Sequence, residues 1–161
     1  MDMSVDAASG LVTIHYTDDG KEKISSENMK LPPDVANGLV TTLLNHIDPA
    51  APKTTTVSMV APTFKPRLVK VEISSAGEDT FSVGGAARKA TRFVLHVNIG
   101  GISGVVAPIA GKQPPDTSVW MIVGKAPGFL KAEGPLFEGG PVWRIETASP
   151  VWPKGEPARK H

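Results

Sequence analysis

Apolar and polar residues alternate along most of this chain with a period of two. The clearest run is Arg92-Phe93-Val94-Leu95-His96-Val97-Asn98-Ile99, with Phe93, Leu95, Val97 and Ile99 on one side and Arg92, His96 and Asn98 on the other. Successive side chains leave a pleated backbone on opposite faces, so this period marks a strand with one buried face. The same alternation predicts strands over 11–17, with Val12, Ile14 and Tyr16 on one face, and over 67–74, with Val69, Val71 and Ile73 inward. Further strands are expected over 54–60, 80–83, 102–109, 117–123, 129–137 and 141–147. Asp18-Asp19-Gly20 reads as a hairpin turn into a charge-rich return over 21–30, which suits a sheet edge. Ala76-Gly77-Glu78 reads as a turn, Gly84-Gly85 as a tight turn or bulge, and Glu138-Gly139-Gly140 as the link between the last two strands.

One stretch has a helical period. Over 33–47, Val35, Leu39, Leu43 and Ile47 recur every four residues, with Val40 and Leu44 beside them. Pro33 fits a first turn, Asp34 favours the positive end of the helix dipole, and Gly38 marks close packing of helix on sheet. The expected fold is mainly β (α+β). It is a strongly curved antiparallel sheet or half-barrel of about nine or ten strands, wrapped around one amphipathic helix that plugs its concave face.

Bulk properties narrow this picture. A length of 161 residues fits a single domain, placed over 1–153 with a disordered tail at 154–161. Flexible segments are also expected at 48–53 and 111–116. Gly 16 and Pro 15 supply the turns that many short strands need. The formal net charge of +1, from 17 basic and 16 acidic side chains, gives no electrostatic footprint for nucleic acid. The absence of cysteine excludes disulfides, thiolate zinc sites and a cysteine nucleophile. No apolar run reaches the roughly 18 residues of a membrane span, and the start of the chain lacks the basic and apolar regions of a secretion signal.

Catalytic patterns are missing. His15 and His96 lie on the polar sides of their strands, His46 lies near the end of the expected helix, and no pair has metal-ligand spacing. Gly101-Ile102-Ser103-Gly104 lacks the spacing of a nucleophile elbow. The acidic pairs Asp18 with Asp19 and Glu22 with Glu27 are explained by hairpin chemistry. The glycine-rich stretch 100–104 fits neither a dinucleotide fingerprint nor a phosphate loop, and Gly111-Lys112 is followed by Gln113 where serine or threonine is needed. No catalytic, cofactor-binding or metal-binding residues are therefore assigned. The remaining enzymatic route is convergence in space of His96, Arg92 and a carboxylate.

The apolar inventory is more suggestive. Val105, Val106 and Ile109 lie in an apolar lobe between glycines, either a buried strand or a flap over a groove. Trp120 and Trp143, with Phe93, Phe129 and Phe137, are expected in the core on the concave face. Trp152 lies beyond the last strand as a plug or a ligand-facing anchor. Leu39, Leu43, Val105, Val106, Ile109, Trp120 and Trp152 make up the expected ligand groove or flap.

Three segments carry a family resemblance. They are Asp6-Ala7-Ala8-Ser9-Gly10-Leu11-Val12 with Asp19-Gly20-Lys21 and Leu31-Pro32-Pro33-Asp34; Phe81-Ser82-Val83-Gly84-Gly85 with Lys89-Ala90-Thr91-Arg92; and Val119-Trp120-Met121 with Pro141-Val142-Trp143-Arg144-Ile145. Together they resemble the bacterial envelope proteins of domain-of-unknown-function family 3108. That resemblance implies a periplasmic β half-barrel around a helix, akin in fold to carriers of lipid or lipoprotein acyl chains. The strands that precede the first segment in that family are here reduced to residues 1–5, which would leave a sheet edge for a second copy to cover. The leading expectation is a non-enzymatic envelope domain that binds a lipid, another apolar small molecule or a partner protein. The alternative is a structural module that self-associates, as a homodimer, through an exposed edge strand, and an enzyme stands third.

Overall fold

A computed structural model describes residues 1–50, 54–61, 63, 65–83, 86–99, 114–124, 127–136 and 140–147. The chain is mainly β, as its alternation predicts. However, the strands form two antiparallel sheets where one curved sheet was expected. The first holds β1 (Asp2–Asp6), β2 (Leu11–Asp18) and β3 (Lys21–Asn28) in that order. The second is a six-stranded meander of β4 (Thr55–Ala61), β5 (Arg67–Val83), β6 (Ala86–Asn98), β7 (Thr117–Ile122), β8 (Gly128–Pro135) and β9 (Val142–Glu146).

Turn chemistry fixes the first sheet. Asp19 and Gly20 have φ of 49° and 72° between the paired residues Asp18 and Lys21. Two successive positive φ values make the two-residue turn whose twist matches that of the flanking strands. Gly10, at φ 77°, lies where β3 closes back, and Met29 donates its N–H to the Gly10 carbonyl at 2.8 Å. A Cβ on Gly10 would sit 2.3 Å from the Met29 carbonyl oxygen. Gly10→Ala is therefore expected to cost at least about 1–3 kcal/mol in urea unfolding, from the left-handed backbone alone. Gly20→Ala, where nothing lies within 4 Å of a Cβ, carries only the backbone part.

The turn expected at Ala76-Gly77-Glu78 is a bulge inside a continuous strand. β5 runs through these residues and its register against β6 shifts between Ser75 and Glu78, with Gly77 at φ 95°. A left-handed glycine accommodates an extra residue without ending the ladder. A second bulge falls between Trp120 and Met121, where β7 meets β8.

Register explains the core. On one face of the six-stranded sheet, Val57, Val71 and Val97 lie opposite one another, then Ile73 with Leu95, then Phe93 with Val119 and Ala132. Phe93, Ile73, Val71 and Met121 are fully or almost fully buried there, and Val40, Leu43, Leu44 and Ile47 pack over them. A smaller cluster joins the sheets. Val12 and Ile14 of β2 meet Val60 of β4, with Met3, Val5, Val35 and Leu68 around them.

The helix is much shorter than expected. It spans Val40–Leu44, where the pattern predicted 33–47. Gly38 explains the shortfall before Val40, because its φ of 72° is incompatible with a continuing right-handed helix. Residues 34–37 instead run alongside β4 in an isolated parallel bridge between Val35 and Ser58. Ser58 donates its N–H to the Asp34 carbonyl at 3.1 Å, and Ala36 donates to the Ser58 carbonyl at 2.9 Å. The Asn37 amide completes the seam: its nitrogen donates to the Val60 carbonyl and its oxygen accepts from the Val60 N–H, both at 2.8 Å.

The aromatic assignments also change. Phe93 is core and Phe129 packs against it, as expected. Trp120 is buried but belongs to the opposite face, in register with Arg92 on β6 and Lys131 on β8. Trp143 is half exposed on β9. Phe137, Trp152, the apolar lobe with Val105, Val106 and Ile109, the Gly84-Gly85 turn and the tail at 154–161 lie outside the described residues.

Candidate functional site

Two polar constellations deserve chemical scrutiny first. Asp34, Ser58 and Lys70 form a closed triangle: Ser58 Oγ donates to Asp34 Oδ1 at 2.9 Å, and Lys70 Nζ donates to Asp34 Oδ2 at 2.9 Å and to Ser58 Oγ at 2.7 Å. A serine beside a lysine invites a nucleophile reading. Ser58 is fully buried, however, and out of reach of a substrate. The Lys70 ammonium holds the Asp34 carboxyl below its ordinary pKa, helped by the Ser58 hydroxyl. Lys70 Nζ is engaged by Asp34 and Ser58 within the triangle. The triangle ties residues 34–37 to β4 and β5.

The sign of its pH dependence follows. A carboxyl whose pKa is lowered by folding stabilises the fold above its unfolded pKa, and that contribution is lost as pH falls through the lowered folded value. Asp34→Asn should therefore destabilise the protein at neutral pH, with the difference from wild type shrinking below the ordinary carboxylate range. Thermal melts at several pH values measure this.

Convergence of His96 with Arg92 does not occur. His96 Nδ1 lies 2.7 Å from Asp116 Oδ1 on an exposed surface, whereas Arg92 reaches toward Asp79, 3.8 Å away, and the Ala76 carbonyl. Among the described residues no group of three or more histidine, aspartate or glutamate side chains is placed to hold a metal ion. No helix among them is long and apolar enough to cross a membrane.

The expected groove residues separate. Leu43 packs onto the sheet core, Leu39 is 58% exposed, and Trp120 lies across the sheet from both. The Trp120 indole N–H donates to Asp79 Oδ2 at 2.6 Å, and Lys131 Nζ sits 3.6 Å from the ring centroid. Lys131 also bonds Glu133 at 3.1 Å, Glu133 lies 3.9 Å from Arg144, and Arg144 holds Glu146 at 2.7 Å. A string of alternating charges thus crosses this face from Asp79 to the last strand.

That last strand is the least protected part of the sheet. Every residue of β9 is exposed, including Val142 at 64%, Trp143 at 50% and Ile145 at 48%. Trp143 and Ile145 stand in register with Gly134 and Ala132, on the apolar side of the sheet but beyond the part that the short helix covers. Among the described residues no strand pairs with the outer edge of β9. The opposite edge, β4, is closed at Ser58 and Val60 by residues 34–37.

Hydrogen bonding shows which groups this edge offers. Thr147 donates its N–H to the Leu130 carbonyl at 3.0 Å. Bonded pairs alternate along an antiparallel ladder, so Ile145 and Trp143 are bonded to β8 while Val142, Arg144 and Glu146 turn their N–H and C=O groups outward. Pro135, which has no N–H, lies opposite Val142, where none is required. The other long edge, β3, is blunted by Lys21, Glu22, Lys23 and Glu27, a common protection against unwanted pairing. β9 pairs three apolar residues with one arginine and one glutamate. Sequence reading placed a strand here but drew no site from it, although Val142-Trp143-Arg144-Ile145 is the visible signal.

No family model matches this chain, and neither a curated protein nor a solved structure does so.

Proposed function

We propose that this protein is a non-enzymatic binding domain that accepts a partner polypeptide as an added strand along the outer edge of β9. The observation that carries this reading is the pairing, in one strand, of outward backbone groups that no other described residue occupies with exposed Val142, Trp143 and Ile145. Strand addition draws affinity from main-chain hydrogen bonds and specificity from alternate side chains, and β9 offers both. The six-stranded sheet is read as a half-barrel, and its two bulges supply the local twist that curvature needs. An envelope location rests on the resemblance of the three segments alone.

The test is a set of synthetic seven-residue extended peptides with alternating apolar and charged positions, titrated against the labelled protein while amide resonances are followed. Saturable shifts centred on Val142, Arg144 and Glu146 are expected. Arg144→Pro should abolish them, since proline removes an outward N–H without breaking a bond to β8. Peptides that leave β9 unmoved, or that bind equally well to Arg144→Pro, overturn the proposal. So would binding of an apolar small molecule near Leu43 with no response at β9.

A further inference from the structure

Given that reading of the β9 edge, the charge pattern also identifies an occupant. We infer that β9 pairs antiparallel with β9 of a second copy of this chain, with Ile145 on the two-fold axis, so that the two six-stranded sheets become one continuous sheet.

Three symmetric registers use the outward groups of β9 and overlap at least three of its residues, centred on residue 143, 144 or 145. The first sets Arg144 against Val142 of the other copy. The second sets Arg144 against its own counterpart, and like charges directly opposite are destabilising. The third sets Arg144 of each copy against Glu146 of the other, in positions that exchange backbone hydrogen bonds. Behind these residues, Lys131 lies opposite Glu146 and Glu133 opposite Arg144 within each copy. A row across the third interface therefore reads Lys131, Glu146, Arg144, Glu133, with charge alternating at each step, and the symmetry-related row reads the reverse. On the other face Ile145 meets Ile145 at a non-bonded position, where side chains come closest, and Trp143 meets Thr147. The interface is a single short strand from each copy, smaller than that of an obligate dimer, so association should depend on concentration.

Sedimentation velocity of the full chain over a wide concentration range tests this. Wild type should shift reversibly from one chain mass to two. Glu146→Arg faces Arg144 and Arg144→Glu faces Glu146, so each variant alone should dimerise at least about tenfold more weakly. Mixed in equal amounts, they should pair with each other, because both facing positions then carry opposite charges. The chain has no cysteine, so Ile145→Cys should form an intermolecular disulfide on mild oxidation while Val142→Cys should not. Circular dichroism confirms that each variant is folded.

A strictly monomeric wild type overturns the inference. So does a dimer indifferent to Glu146→Arg, since only the third register places that residue against Arg144. The broader reading fails separately. If wild type is monomeric yet extended peptides still add to β9 and Arg144→Pro prevents it, the edge is a docking site for another polypeptide. If neither occurs, both proposals fall.

Discussion

Replacing Phe93 with alanine is expected to cost about 3–5 kcal/mol, the usual range for removing a fully buried aromatic side chain. Phe93 has no exposed surface and lies where β5, β6 and β7 contribute Ile73, Leu95, Val119 and Met121 to one cluster. Its cluster also includes Leu44 of the short helix, so its side chain belongs to the packing between helix and sheet. Domains of this size are stabilised by only about 5–15 kcal/mol. Urea titration followed by circular dichroism should therefore show a large fall in midpoint, or a chain unfolded without denaturant. Ile24→Ala, on a side chain 67% exposed on β3, should change stability by less than about 0.5 kcal/mol. Comparable losses at both sites would mean that the core lies elsewhere.

The second large effect concerns a polar side chain. Asn37 supplies both a donor and an acceptor to the backbone of Val60, which is fully buried. Asn37→Ala leaves an N–H and a C=O unpaired, at about 1–3 kcal/mol each. Asn37→Asp should be at least as harmful at neutral pH, because a carboxylate keeps the acceptor but sets negative charge against the Val60 carbonyl. Protonating that carboxylate would restore a donor, so Asn37→Asp should recover toward wild type at acidic pH, as read by thermal melting. An aspartate variant as stable as wild type at pH 7 would show that the amide is not bonded in this way.

The strands were legible because their alternation is strong where one face is buried. Phe93 to Val97 and Val69 to Ile73 fell on the core side as their period required. The helix was over-read for an equally physical reason. Val35, Leu39, Leu43 and Ile47 keep a four-residue spacing, yet Gly38 divides them into a bridge segment and a single helical turn or so. Both pieces lie against apolar surface, and either conformation satisfies the pattern. Trp120 was misplaced because Val119-Trp120-Met121-Ile122 is apolar at every position and carries no phase. Only the partners across the ladder, Arg92 and Lys131, reveal its face. β1 went unlisted because Met3 and Val5 are its only apolar residues. The apolar content of Val142-Trp143-Arg144-Ile145 is visible in the sequence, but not its place at the edge, since whether a strand is terminal depends on the order of the others.

The joint between the sheets has a consequence for how the molecule comes apart. The N-terminal sheet buries only Val12 and Ile14 deeply, and it does so against Val60 of the larger sheet. Three strands with so little interior of their own have almost no independent stability. Opening of residues 1–30 should therefore be the lowest-energy partial unfolding event, visible as faster hydrogen exchange there than in β5 and β6. The Asn37 seam holds Val60 in place on the larger sheet, so weakening it should loosen the first thirty residues before the rest and split a single melting transition into two steps.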